Sequence, residues 1–493
     1  MKVISIIPDV GPGGLTSAVF SRSALLAKSG KDVAVVLYQF MPNYSLDIKE
    51  QLNSDRLSSK VKIFNPYEYY SDLYSSLSGY APEVYPDTHS HITSDDEFII
   101  TAHFDNNLNL LSKVFLSIKD RLLIKKQFFQ LNSTLYKEEY YFKEDFPKLV
   151  KYYSNDSAIL EKYLSQNGFC YLRVSIDPNT GTPSGVWSQT DLGEIKFYKN
   201  IWDWRREFVG NIVCSHSETN IILCDGNNVP PQFLKLKNKK RAIYPVIHMN
   251  HRHLNGDLRR HYSRYFNRLN DFSGLVCLTS EQSEDLLREF DLKIPVYTIP
   301  NRINSISVRQ LRSSESTVDA IVVSRLENGK GVLDAIKAFE IYASSNPNAQ
   351  LEIYGTGSNE SKLKQYVLEC GLSENIHFRG KTLNPLEKIS KASLFLFTSE
   401  SEGFGLTIAE ALSVGTPVIA FDCKYGPSNL IVEGKTGYLV GNRSITELAK
   451  RLALTIGDRT KVVAMSKEAT QWFDENLSDS NIIQYWDDLI SKV

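Results

Sequence analysis

Leu394-Phe395-Leu396-Phe397-Thr398-Ser399-Glu400-Ser401-Glu402-Gly403-Phe404-Gly405-Leu406-Thr407-Ile408-Ala409-Glu410-Ala411-Leu412 decides how this chain is read. The apolar run predicts a strand, and Thr407 to Leu412 reads as the first turns of a helix. A glycine turn between strand and helix predicts a parallel α/β unit. The backbone amides of 403–407 would then face a crevice at a helix N-terminus, where free N–H groups and the helix dipole favour a phosphate. Glu410, about one helical turn in, is placed to accept hydrogen bonds from ribose hydroxyls. Glu402, just outside the helix, is placed to accept from the hydroxyls of a sugar. An acid beside a helix N-terminus also complements the dipole with no ligand at all. That alternative leaves Gly403 and Gly405 unexplained.

The same rhythm extends in both directions. Strands at 320–324, 351–355, 376–380 and 417–421 alternate with helical spans, so the second half predicts one parallel-sheet unit. Arg325 and Lys330 follow the strand at 320–324, at the edge where open α/β sheets bind ligands. Two cations across a short loop can straddle a diphosphate; the alternative is a pair of solvated surface charges. The N-terminal run Lys2 to Ile7 predicts a buried first strand, followed by Gly11-Pro12-Gly13-Gly14 and a helix reaching Ser29-Gly30. That glycine turn suits an anion at the helix start, or topology alone. From about Pro66 to Trp204 the chain is rich in Tyr and Phe, with period-two alternation and turns at Gln166-Asn167-Gly168 and Asp177-Pro178-Asn179-Thr180-Gly181. This predicts an antiparallel β insertion. Parallel texture returns at 220–226, 242–248 and 274–279. One last helix, bearing Trp472-Phe473 and Tyr485-Trp486, would pack back across the domain junction.

The bulk numbers exclude several classes. The 493 residues, 42% hydrophobic and 23% charged, suit two or three soluble domains. A net charge of −1 gives no global field for nucleic acid. Six cysteines without metal-type spacing fit reduced thiols in a cytoplasm. The apolar N-terminus is stopped by Pro8, too early for a signal peptide. No run approaches the roughly 20 apolar residues of a membrane span. The expectation is a cytoplasmic protein, with at most a peripheral place at the inner face of the membrane.

His248 ends an apolar strand and opens His248-Met249-Asn250-His251-Arg252-His253. Three histidines invite a metal reading, but no carboxylate or Cys accompanies them at ligand spacing. A single His facing the crevice, or a satisfied structural His, explains the pattern as well. Two local basic clusters, Lys119-Asp120-Arg121 with Lys125-Lys126 and Lys235, Lys237, Lys239-Lys240-Arg241, offer contacts to a polyanion or are solvated faces.

Taken together, Arg325 and Lys330, the 402–410 segment and Gly415-Thr416-Pro417-Val418 resemble the retaining nucleotide-sugar glycosyltransferases of family 4, which have the GT-B fold. Gly13-Gly14-Leu15-Thr16-Ser17, Phe20-Ser21-Arg22-Ser23, Cys224-Asp225-Gly226 and Val246-Ile247-His248 with His251 resemble, more narrowly, bacterial wall teichoic acid α-glycosyltransferases. Those enzymes carry an antiparallel insertion, as do the adhesin-modifying O-GlcNAc transferases of Gram-positive bacteria. The resemblance implies two Rossmann-like domains facing a cleft: 1–69 with 205–304 for the acceptor, 305–470 for the nucleotide sugar. The insertion would be 70–204, and 471–493 a helix returning toward the first domain.

It also implies roles. Arg325 and Lys330 would hold the donor diphosphate, Glu410 the ribose and Glu402 the transferred sugar. Amides of Gly403, Phe404, Gly405, Leu406 and Thr407 would contact sugar and phosphate. Backbone at Gly380 and Lys381 would read uracil, with Gly14 against the phosphate and His248 beside the reacting centre. The implied partners are UDP-glucose or UDP-N-acetylglucosamine and a poly(glycerol phosphate) or poly(ribitol phosphate) acceptor. No metal or other cofactor is implied. The insertion implies a homo-oligomer, a trimer being one form, and Tyr67, Tyr69 and Tyr70 would be exposed there for contacts with another copy or the acceptor. The competing readings are transfer of N-acetylglucosamine to Ser/Thr-rich adhesins, and a non-catalytic recognition subunit.

Overall fold

The computed structural model describes every residue except 12, 54–56, 82–88, 215, 217, 227, 304–317 and 442. Pro12 of the first glycine turn and the junction expected at 304/305 lie outside the described residues. The first run, Lys2–Ile7, is buried on both faces, as an apolar β-branched segment in a parallel sheet must be. It is an interior strand of a seven-stranded sheet whose order is Val296–Thr298, Leu275–Cys277, Arg241–Ile247, Asn220–Asp225, Lys2–Ile7, Asp32–Leu37, Lys62–Phe64. Every pairing in it is parallel. The order reverses between Asn220–Asp225 and Lys2–Ile7, so the crevice of the sheet opens there. The helix Gly14–Lys28 leaves that point and ends at Ser29, with Gly30 left-handed at φ +89°.

The second unit is a six-stranded parallel sheet ordered Ile376–Gly380, Leu351–Tyr354, Val318–Val323, Ala392–Phe397, Val418–Phe421, Gly437–Val440. Its reversal falls between Val318–Val323 and Ala392–Phe397, which pair directly. The loop bearing Arg325 and Lys330 follows one of these strands, and Glu402-Gly403 follows the other. Sheet order alone thus brings two segments some 70 residues apart to one crevice.

Between strand Lys62–Phe64 and strand Asn220–Asp225 stands the antiparallel insertion. It is a ten-stranded meander from His89–Ser94 to Ile195–Tyr198 in which each strand pairs with its neighbour in sequence. Two of its hairpins turn at the left-handed glycines Gly168 and Gly181, and others at left-handed non-glycine residues such as Ser133 and Asn155. The limits 69/70 and 204/205 fall inside the helices Pro66–Leu73 and Ile201–Phe208 that join the insertion to the first sheet.

Two expectations are corrected. Tyr67, Tyr69 and Tyr70 are not exposed: Tyr67 is 2% accessible, and its ring meets Phe40, Tyr163 and Trp204. Tyr69 and Tyr70 pack on Phe208. The reason is helical spacing: Asn65 caps a helix from Pro66, and Tyr67, Tyr70 and Tyr74 then share a face. The last helix is in fact two, Arg459–Leu477 and Asp479–Ile490, so the limit 470/471 lies within the first of them. Ser478 breaks the run by leaving helical geometry and accepting from the Asn481 N–H at 3.4 Å. The second helix meets residues of the first unit. Arg302 grips Asp479 through two bonds of 2.7 and 2.9 Å, and Lys31 meets Asp487 at 2.8 Å.

Ile482 is fully buried on that returning helix. Ile482→Ala should cost about 2–5 kcal/mol, seen as a lower apparent midpoint in urea. An unchanged midpoint would mean that the helix contributes no core.

Candidate active site between the two parallel sheets

Two helices begin at glycine on opposite sides of the crevice. Gly13 caps Gly14–Lys28, and Gly405, left-handed at φ +84°, caps Leu406–Ser413. Neither cap has a side chain to satisfy the first N–H groups of its helix, so both ends offer donors to an anion. The two ends meet: a β-carbon on Gly14 would lie 2.9 Å from Leu406 Cδ1. The next contact is closer still. A β-carbon on Gly403 would lie 2.1 Å from the His248 carbonyl oxygen and 2.6 Å from Met249 Cα.

Lys330 and Glu402 form an ion pair on the second unit. Glu402 is fixed by its own backbone, its N–H donating to the Lys424 carbonyl and its carbonyl accepting from the Tyr425 N–H, both at 2.9 Å. Lys330 is held by Thr398, whose hydroxyl donates to the Lys330 carbonyl at 3.2 Å. Glycine at 331, φ +61°, is needed here, because a β-carbon would strike the Thr398 carbonyl oxygen at 2.0 Å.

On the first unit, the His248 ring meets Asp225 through Nε2 at 2.7 Å. Asp225 has no exposed surface and takes two bonds from Arg22, at 3.0 and 2.6 Å. Burial alone would push its carboxyl up. Arg22 and His248 outweigh that and hold it below the ordinary range. Arg22 also donates to Ser5 at 2.7 Å and lies 5.2 Å over the Trp486 ring.

The loop after His248 is pinned from several sides. The Met249 carbonyl accepts from Tyr262 and Gln282, and Asn250 reaches the Lys424 carbonyl at 3.4 Å. His251 turns to Glu289 and stacks on Tyr425, with rings 11° from parallel. His248 and His251 therefore serve different partners, and His253 is exposed. Among the described residues no group of His, Cys, Asp and Glu is arranged to hold a metal. Asp285 closes the crevice at its side, accepting from Lys424 at 2.6 Å and Tyr425 at 2.8 Å.

These contacts join Gly14, His248, Lys330, Glu402, Gly403 and Leu406. Phe404 is buried, and Thr407 and Glu410 lie partly buried on the glycine-capped helix. Arg325 is exposed on the loop toward Lys330. Gly380 and Lys381 close an edge strand, where the Gly380 carbonyl accepts from the Gly355 N–H at 2.8 Å. Among the described residues, no hydrogen bond or ion pair ties Arg325, Gly380 or Lys381 to the Lys330–Glu402 pair. Sequence reasoning quoted Arg22 and Asp225 without giving either a role, and it missed Asp285. A signal was available: an Asp directly after the apolar run Ile221-Ile222-Leu223-Cys224 must be buried and therefore paired.

The second basic cluster is largely committed within the fold. Lys237 donates to the Asp271 and Phe272 carbonyls, Lys240 to His216, and Arg241 to Gly210. In the first cluster, Asp120 pairs with Lys143, and Lys126 lies over the Tyr141 ring.

Residues 305–472 match the family described as glycosyl transferases group 1. That stretch is a group 1 glycosyltransferase domain. Over the whole chain, a poly(ribitol-phosphate) alpha-N-acetylglucosaminyltransferase of Staphylococcus aureus is 24% identical, with 98% of each chain covered. A poly(glycerol-phosphate) alpha-glucosyltransferase of Bacillus subtilis is also 24% identical, covering 96% of this chain and 72% of that one. A crystal structure of a Staphylococcus aureus TarM mutant with Fondaparinux, alpha-GlcNAc-glycerol and UDP superposes with a TM-score of 0.84 at 22% identity, covering 99% of both chains. The fold is therefore GT-B with an antiparallel insertion, as the resemblance to family 4 and to the wall teichoic acid enzymes implied.

Asp285 supplies a test of the closed crevice. Its carboxyl would be raised by burial, but Lys424 and Tyr425 hold it low. A carboxyl depressed in the folded state stabilises above the unfolded value of about 3.9, and that gain disappears as pH falls through the folded value. Asp285→Asn should therefore lose about 1–3 kcal/mol at pH 7. The difference in urea midpoint from wild type should shrink below about pH 4. A gap that stays constant with pH would show that the carboxylate charge plays no part.

Proposed function

We propose that the chain is a retaining α-glycosyltransferase that moves glucose or N-acetylglucosamine from a UDP-sugar to a poly(glycerol phosphate) or poly(ribitol phosphate) wall teichoic acid. The observation that carries this reading is the Lys330–Glu402 pair set against the His248 loop, between two helix starts capped by glycine. A cation, a carboxylate and two sets of free amides are what a sugar diphosphate requires. Relatives that match along most of the chain are named for α-transfer of these sugars to these polymers. UDP-sugars carry their sugar in α linkage, so an α product means retention.

In this reading Arg325 and Lys330 hold the diphosphate and offset charge developing on the leaving group. Amides from Gly403 to Thr407 bind sugar and phosphate, Gly14 lies against the phosphate, and Glu410 binds the ribose. Glu402 orients the sugar hydroxyls, and backbone at Gly380 and Lys381 reads uracil. No carboxylate is assigned as a nucleophile. The acceptor hydroxyl attacks on the face the leaving group departs from, and a diphosphate oxygen takes its proton. His248 lies beside the electron-deficient sugar. The two cations and the helix amides supply the compensation a metal would otherwise give.

The reading places the enzyme in the cytoplasm at the inner face of the membrane. Among the described residues no helix is long and apolar enough to cross one. The strand His89–Ser94, exposed throughout, leaves an open edge on the insertion through which copies could assemble. The cation contacts to a polyphosphate would fall to Lys119, Arg121, Lys125 and Lys126 more than to the committed cluster at 235–241.

Lys330→Ala and Glu402→Ala should each lower turnover by on the order of 10²-fold or more with unchanged circular dichroism. Wild-type turnover in either variant would remove the site. EDTA should leave the rate of the purified enzyme nearly unchanged; complete loss, restored by one divalent ion, would overturn the metal-free reading. A donor screen against purified polyol-phosphate polymers and a serine-rich polypeptide, side by side, tests the acceptor. Transfer to the polypeptide alone would favour adhesin modification.

A further inference from the structure

His248 is not free to choose its protonated nitrogen. Its Nε2 lies 2.7 Å from Asp225 Oδ1, and among the described residues none is hydrogen-bonded to its Nδ1. Asp225 is wholly buried and receives Arg22 on both oxygens. An ionised carboxylate has no proton to give and can only accept. The neutral imidazole must then carry its proton on Nε2, which leaves the Nδ1 lone pair as an acceptor.

The carboxylate is itself kept in place by three elements. Arg22 projects from the helix Gly14–Lys28, whose first residue meets Leu406, and its guanidinium also reaches Ser5 on the first strand. Trp486, on the returning helix Asp479–Ile490, lies over the guanidinium at 5.2 Å and keeps it from water. Ser5 is 1% accessible and Arg22 6%, so the assembly is dry, and the charges are weakly screened. A buried ion pair of this kind is weak as a source of stability, so a fixed orientation for His248 is the better account of it.

We propose that Arg22 and Asp225 are positioning residues for the transfer reaction, holding His248 as its Nε2–H tautomer so that Nδ1 accepts a hydrogen bond from a hydroxyl of the bound sugar. The proposal rests on the placement of His248 beside the reacting centre made above. Arg22 and Asp225 act only through His248.

Two measurements decide the matter. The first is ¹⁵N imidazole NMR on the full chain, with the His248 signals identified by their loss in His248→Gln. Where the ring is neutral, the wild type should show a protonated Nε2 and an unprotonated Nδ1. A proton on Nδ1 overturns the proposal whatever the kinetics. The second is kinetic. Asp225→Asn keeps the shape but puts an amide where two donors converge, so kcat should fall by on the order of 10²-fold, while the dissociation constant for UDP stays within about twofold. Asp225→Glu should recover part of that loss. Combining Asp225→Asn with His248→Gln should be no worse than His248→Gln alone, because the two changes break one unit.

Wild-type kcat in Asp225→Asn, with kcat lost in His248→Gln, would overturn the positioning role and leave the site intact. Wild-type kcat in His248→Gln would instead remove His248 from the reaction. The site reading would then fail at that residue, and the NMR result would still stand on the tautomer. Should Asp225→Asn lose UDP binding, the wild-type spectrum alone decides.

Discussion

A residue with a β-carbon cannot stand at position 403, because that atom would overlap the carbonyl of His248. This single close approach sets the distance between the two parallel-sheet units. With Gly403 pressed on the His248 loop, Glu402 and its partner Lys330 come to face the end of strand Arg241–Ile247. The two glycine-capped helices come to face each other through Gly14 and Leu406. Contacts farther out, from Asp285 to Lys424 and Tyr425, then lock the same geometry from the side. The crevice is thus a product of backbone contact, and the charged groups line what that contact leaves open.

The positions of those charges follow from topology. Each sheet reverses its strand order once, and each reversal places a loop rich in glycine at the mouth of the crevice. In the first sheet the reversal sets Asp225 beside the start of helix Gly14–Lys28, so a carboxylate, a guanidinium and an imidazole share one buried site. In the second it sets the Lys330 loop beside Glu402. The insertion lies outside this arrangement. Its strands pair only with sequence neighbours, so it can lengthen or shorten without disturbing either sheet.

Much of this was legible in the chain itself. Apolar runs of four to seven residues separated by helical spans identify both parallel sheets, and glycines between strand and helix locate the crevice. Alternation with hairpin turns identifies the insertion, because side chains on a strand alternate between faces. What escaped was tertiary. Tyr67, Tyr69 and Tyr70 read as a surface cluster because adjacent aromatics carry no sign of what covers them. Their helix turns them onto Trp204 and Phe208, over 130 residues away. Arg22 and Asp225 were visible as residues of a motif, but a salt bridge across 203 residues has no local signature. The break at Ser478 was missed because Ser is tolerated within helices, and only its cap bond shows the turn.

The returning helix Asp479–Ile490 has a bearing on how the molecule is made. Its Trp486 and Ile482 complete an apolar surface that includes Val19, Phe20 and Leu26 of the first helix. On the ribosome those early residues emerge hundreds of codons before their cover. The first unit must therefore wait with a sticky face and an incompletely shielded Arg22 until the second unit has been synthesised. A nascent chain halted anywhere before the last helix would hold a crevice wall without its support, and it would offer chaperones an apolar patch to bind.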